Sequence, residues 1–147
     1  MPRARPQKPA TSEQIAQLCA AAALDKKAEN LSLLHVASLN SYTDYFLIAS
    51  ASSTRQVSAV ADYIHLILKK AGIKPLGISG IKEGQWALID FGPVVAHVFY
   101  RPIREFYDLE SLWADAPRAE IIPQELAVWI PAPKRGQAGN RAKKAYL

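Results

Sequence analysis

WALIDFGPVVAHVF, residues 86–99, decides the fold. Two apolar runs, 85–91 and 94–99, are rich in the residues that suit a half-buried sheet, and they flank Gly92-Pro93. Glycine takes a positive φ and proline fits the position after it, so the pair makes a two-residue type II′ turn and the runs make a hairpin. Such a turn fixes the register, setting Leu88 opposite His97 and Asp90 opposite Val95. Trp86, Leu88, Asp90, Val95, His97 and Phe99 then share one face. Asp90 and His97 are diagonal neighbours on it, near enough for the carboxylate to orient the imidazole.

Upstream of the hairpin lies the clearest helix. Val57, Val60, Ala61, Ile64, Ile67, Leu68 and Ala71 keep one apolar face, with Ser52 or Ser53 as N-cap. Lys69 and Lys70 complement the dipole at its last turn, and Gly72 suits the C′ position. A short strand near 76–79 follows it. Residues 31–37 and 45–51 read as two further strands, joined by the turn chemistry of LNSYTD. A first helix starts at Thr11, where Thr11 and Gln14 have capping-box spacing. A third is expected from about Pro102 to Ala114, with Ile103, Phe106, Leu109, Leu112 and Trp113 toward the core and Arg101–Glu105 and Arg104–Asp108 paired at i, i+4. The order α-β-β-α-β-β-β-α predicts an α/β fold, a mixed sheet with helices packed on it and one parallel crossover through the second helix.

Half of the 147 residues are hydrophobic and 21% are charged, as in a globular domain, and no apolar run reaches the roughly 18 residues of a membrane span. The net charge of +5 sits at the ends. Residues 1–10 carry three bases and residues 131–147 carry five, neither with an acid, which leaves ten bases against 13 acids between them. Loose basic arms suit phosphate-rich partners, or serve only solubility. Prolines punctuate both ends, so 1–10 reads as a disordered arm, 11–116 as the domain and 117–147 as a Pro-rich basic extension with little regular structure. Three prolines in the arm argue against a transit peptide.

The chemistry-bearing residues are sparse. Cys19 is the single cysteine, and His35, His65 and His97 show no HExxH, CxxC or HxH spacing, so no metal or cofactor site is expected. No GxxxxGK[ST], GxGxxG or GxSxG occurs; the glycines at 77, 80 and 84 precede no helix that would receive a phosphate. Asp90 and His97 are the one constellation, but a catalytic dyad needs a nucleophile or a metal beside it. A hydrogen-bonded structural pair or the polar centre of a docking surface fits them equally. Trp86, first on its strand, reads as a docking aromatic, and Trp113 as core.

Taken together, DKKAENL, TDYFLIASASSTRQV, WALIDFG, VVAHVF and REFYDLESLWADA resemble the ribosomal silencing factor family, also called Iojap-like proteins, over about residues 24–114. The resemblance implies a nucleotidyltransferase-like fold with a mixed five-stranded sheet, but no catalysis, because the paired acids that hold metal in active nucleotidyltransferases have no counterpart. It further implies a cytoplasmic protein, monomer or homodimer, that binds large-subunit ribosomal protein fourteen, blocks joining of the small subunit and so represses translation. Asp44, Trp86, Asp90, His97, Arg104, Tyr107, Leu109 and Glu110 match the family pattern and are the candidate partner-binding residues. The chain departs from it at Ser79-Gly80, Gly92-Pro93 and Ala96, all beside the hairpin face. The alternative class is a divergent nucleotidyltransferase-like enzyme or nucleotide-binding protein.

Overall fold

Helix α1 (Ser12–Asp25) starts on the expected capping box: the Gln14 backbone N–H donates to the Thr11 hydroxyl and the Thr11 N–H donates to the Gln14 side chain. In this computed structural model, which describes residues 10–39, 42–120 and 128–130, strands β1 (Glu29–His35) and β2 (Tyr45–Ala51) follow. Helix α2 (Thr54–Lys70) is capped by Ser53, whose hydroxyl accepts from the Gln56 N–H. It closes in a Schellman turn, with Gly72 at φ +83° and Ile73 N–H donating to Leu68 O. Val57, Val60, Ala61, Ile64 and Leu68 are fully buried along its inner face, while Ile67 is only partly buried. Each of the larger side chains contributes about 1.5–3 kcal/mol by leaving water.

The remaining strands are β3 (Gly77–Ser79), β4 (Trp86–Asp90) and β5 (Val94–Tyr100). β4 and β5 form the hairpin in the register that the two-residue turn predicts, Leu88 opposite His97 and Asp90 opposite Val95, and Gly92 takes φ +94°. β2 lies parallel to β5, while β1–β2, β3–β4 and β4–β5 are antiparallel. This is the expected mixed five-stranded sheet. Two short strands extend it past β1: β6 (Arg118–Glu120) and β7 (Val128–Ile130), giving the order β3-β4-β5-β2-β1-β6-β7. They fall in a stretch expected to hold little regular structure, and they pair antiparallel with Ala119 opposite Trp129. The basic ends lie outside the described residues.

Alternation along the strands divides the core in two. Leu33, Leu47, Ala49, Ile89, Ala96 and Val98 point to the inner face, where α1 and α2 cover them. Leu34, Val36, Ile48 and Phe99 point to the outer face, under a much smaller cover. That cover is two helices, α3 (Arg101–Tyr107) and α4 (Leu109–Leu112), not the single helix expected from Pro102 to Ala114. Asp108 breaks the run by taking φ 48°, ψ 50°, and its carboxylate accepts from the Ser111 hydroxyl. The break turns the sequence-predicted stripe: Ile103, Leu109 and Trp113 pack inward, but Phe106 and Leu112 are 79% and 77% exposed.

Neither expected i, i+4 ion pair is the principal one. Arg101 pairs across the sheet edge with Glu29, on the surface. Arg104 is buried and pairs with Glu110 beyond the break. Its Nε donates to Glu110 at 3.2 Å, one terminal nitrogen donates to Asn30 O at 2.6 Å and to Ser50 Oγ at 2.8 Å, and the other donates to Glu110 and to Ser32 Oγ at 3.3 Å. Asn30 sits at φ 50°, in an irregular stretch of β1 between Glu29 and Ser32, which frees its carbonyl for the guanidinium. Arg118 closes the far end, donating to Ala114 O and Ala116 O.

Removing the carboxylate leaves a buried cation uncompensated, so Glu110→Ala should lower unfolding free energy by about 3–5 kcal/mol. Urea denaturation against the wild type measures it; a loss under about 1 kcal/mol would show that the pair does not hold α3–α4 in place.

Candidate functional site

The outer face is the part of the sheet that helices cover least, and most of the candidate residues converge there. Gly80 places Trp86: at φ +78° an added Cβ would lie 2.0 Å from the Trp86 carbonyl, so only glycine permits this approach. The Trp86 ring stacks on buried Phe99, with centroids 4.9 Å apart, and meets the Tyr107 ring at the same distance. Its Nε1–H donates to His97 Nδ1 at 3.1 Å. Trp86 is therefore half-buried and supports its aromatic neighbours.

That bond settles the histidine's chemistry. An indole N–H only donates, so Nδ1 must be the bare nitrogen and the proton resides on Nε2. Burial disfavours the cation and pulls the His97 pKa from 6.5 down to about 4, so the ring is neutral. Nε2 is sealed from solvent and has no hydrogen-bond partner among the described residues. Asp90 does not orient the imidazole, contrary to the expectation from their diagonal placement: its carboxylate accepts from the Gly92 N–H at 2.8 Å and pins the hairpin turn.

The other candidates separate. Tyr107 is half-exposed above Trp86, and Leu109 packs inward beneath it. Arg104 and Glu110, 8% and 6% exposed, are the buried clamp of α3–α4 and present no surface to a partner. Asp44 is part-buried and accepts from Ser12 at the start of α1, so it ties α1 to the sheet. Sequence reasoning missed Tyr42, Phe106 and Leu112, which are 90%, 79% and 77% exposed. For Phe106 and Leu112 the available signal was Asp108, a residue type that favours helix starts, within the apolar run.

On the same sheet face lies a cavity of about 470 Å³ lined by Tyr42, Thr43, Phe46, Leu88, Asp90, Val95, His97 and Trp113. Trp113 is half-buried there, meeting Phe46 edge to face at 5.2 Å, so it belongs to the wall as well as to the core. Among the described residues no three of His, Cys, Asp and Glu converge as metal ligands. No helix among them is long and apolar enough to cross a membrane. Cys19 is buried, and burial pushes its thiol well above the ordinary range.

Fold and face together define a small mixed α/β domain with one sheet face sealed by helices and the other carrying a partly uncovered aromatic group. The family described as ribosomal silencing factor during starvation (RsfS) matches residues 9–145, and the chain belongs to it. A ribosomal silencing factor from Halalkalibacterium halodurans is 37% identical over 111 residues, 76% of this chain and 95% of that protein. A crystal structure of a Chromobacterium violaceum protein superposes with a TM-score of 0.70 at 35% identity, covering 71% of this chain and 87% of that one. A mouse protein named for mitochondrial assembly of the ribosomal large subunit is 35% identical over 91 residues, 60% of this chain and 40% of its own length. The family is described by a regulatory role and not by a reaction.

Because His97 is neutral when folded and ordinary when unfolded, acid favours the unfolded chain. Stability from this group is complete above pH 6.5, falls as pH drops toward 4, and is fully lost below that. Relative to His97→Gln, the wild type should lose up to about 3 kcal/mol across that window. Urea titrations at pH 7 and pH 4 test this; parallel losses in both proteins would contradict it.

Proposed function

We propose that the chain docks on the large ribosomal subunit through its outer sheet face, with that subunit's protein fourteen as the contact, and keeps the small subunit from joining. Translation is thereby repressed, in a cytoplasmic setting, without a chemical step. The observation that carries this reading is the exposure of Phe106 and Tyr107 next to half-buried Trp86, with Leu112 exposed on α4 and Tyr42 exposed at the cavity. Apolar groups of this kind on one face mark interaction sites, and aromatic anchors dominate binding energy in them. Family membership supports the ribosome as partner, and the name of the mouse relative supports the large subunit in particular.

Charge points the same way. Glu105 and Asp108 are exposed on α3 and at the α3–α4 break, and Asp90 lies half-buried in the cavity wall. Acids around an aromatic centre suit a basic protein and steer its approach. The basic stretches 1–10 and 131–147 add salt-sensitive contacts to ribosomal RNA phosphates, with 11–116 as the docking domain. Of the candidate residues, Trp86 and Tyr107 touch the partner and Asp90 and His97 line the cavity it covers. Arg104, Leu109, Glu110 and Asp44 act by holding that face in shape.

Adding the protein to separated subunits should reduce formation of whole ribosomes in a sucrose gradient, in proportion to its occupancy of the large subunit. Phe106→Ala and Tyr107→Ala should each weaken large-subunit binding by about 1–2 kcal/mol while leaving the melting temperature unchanged. Leu66→Ala, exposed on α2 at the opposite side, should do neither. Co-sedimentation with the small subunit, or equal binding by all three variants, would contradict the reading.

A further inference from the structure

The cavity holds a polar pair that the aromatic rim does not explain. His97 Nε2 carries a proton, as its bond from Trp86 requires, and that N–H is buried without a partner among the described residues. Native proteins leave few such groups, and each needs a reason. Asp90 lines the same cavity, an acceptor whose carboxylate already holds the Gly92 N–H. The sheet side of the cavity thus carries a donor and an acceptor on neighbouring strands, among the apolar side chains of Phe46, Leu88, Val95 and Trp113.

Ligand chemistry follows by elimination. A cation would answer Asp90 but set donor against donor at His97. A carboxylate would answer His97 but meet the charge of Asp90. A hydroxyl has one oxygen to serve both, and the two residues are diagonal partners on neighbouring strands, roughly 7–8 Å apart along the backbone. A carboxamide satisfies both sides, because its oxygen accepts on one flank and its nitrogen donates on the other. Reaching Nε2 calls for a small turn of Phe46, which packs edge-on against the His97 ring with centroids 5.0 Å apart and is itself only partly buried.

We propose that the cavity is a socket for one carboxamide side chain, asparagine or glutamine, inserted from the docked protein, its oxygen accepting from His97 and its nitrogen donating to Asp90. The assignment rests on the docking reading above and adds to it a specificity element at the centre of the face. An anchor seated in a pocket and ringed by exposed apolar groups is where binding energy concentrates.

The first arm of the test uses the isolated protein. Nitrogen-detected NMR of the imidazole is followed while acetamide, guanidinium chloride, sodium acetate or a nucleoside is added at matched ionic strength. Acetamide should shift the His97 Nε2–H resonance most, and Leu88→Trp, which fills the socket from a half-buried position, should abolish the shift. No response at molar acetamide, or a larger one to guanidinium, overturns the socket; a response confined to the nucleoside assigns it to an RNA base and overturns the carboxamide. In the second arm, Leu88→Trp and the milder Leu88→Phe should weaken large-subunit binding, by more than tenfold for the larger, with melting temperatures unchanged. Normal binding by Leu88→Trp overturns insertion by the partner even if acetamide binds. Wild-type protein that fails to bind large subunits at all defeats the docking reading instead, and the acetamide arm still decides the socket's chemistry.

Discussion

A guanidinium taken out of water must have its charge met and its five N–H groups matched, and Arg104 has both conditions satisfied within one small volume. Glu110 supplies the charge, Ser32 and Ser50 supply hydroxyls from adjacent strands, and Asn30 supplies a carbonyl released by the irregularity in β1. This one residue joins α3, α4, β1 and β2. Without it, two helices of seven and four residues would be too short to hold their places. The outer face therefore depends on a polar clamp, whereas the inner face depends on the large apolar surface of α1 and α2.

That difference gives the two faces different uses. The inner face is covered by two long, side-chain-capped helices over the larger apolar core. On the outer side the α3–α4 break at Asp108 holds Ile103, Leu109 and Trp113 down while turning Phe106 and Leu112 outward. Exposure of these side chains is thus a consequence of how the clamp and the break divide a single apolar sequence. The aromatic contacts from Tyr107 through Trp86 to Phe99 then connect the exposed rim to the buried sheet. A partner that presses on the rim meets a surface already ordered from below, which lowers the entropy cost of binding.

Much of the fold was legible because it rests on short-range rules. The capping box at Thr11, the face of α2 with Gly72 after it, and the hairpin register from Gly92-Pro93 each follow from a few adjacent residues. The outer-face grouping of Trp86, Asp90 and His97 was legible for the same reason. The partners of those side chains were not. Asp90 binds its own turn, His97 binds Trp86, and Arg104 reaches across 74 positions to Asn30, choices settled only when strands and helices meet. The helical pattern of residues 102–114 misled because periodicity assumes one continuous axis, and Asp108 ends that axis midway. Strands β6 and β7 escaped notice because their three residues each lie in a proline-punctuated stretch, whereas equally short β3 is framed by the end of α2 and the hairpin.

On the proposed function, the clamped aromatic side of the sheet is the side that meets the ribosome. Oxidative footprinting of the chain, alone and saturated with large subunits, reads this directly from its exposed side chains. Tyr42, Phe106, Tyr107 and Leu112 should lose reactivity on binding, while Leu66 on α2 keeps it. Protection of Leu66 with the aromatic group still reactive would place the partner on the other face and contradict the account.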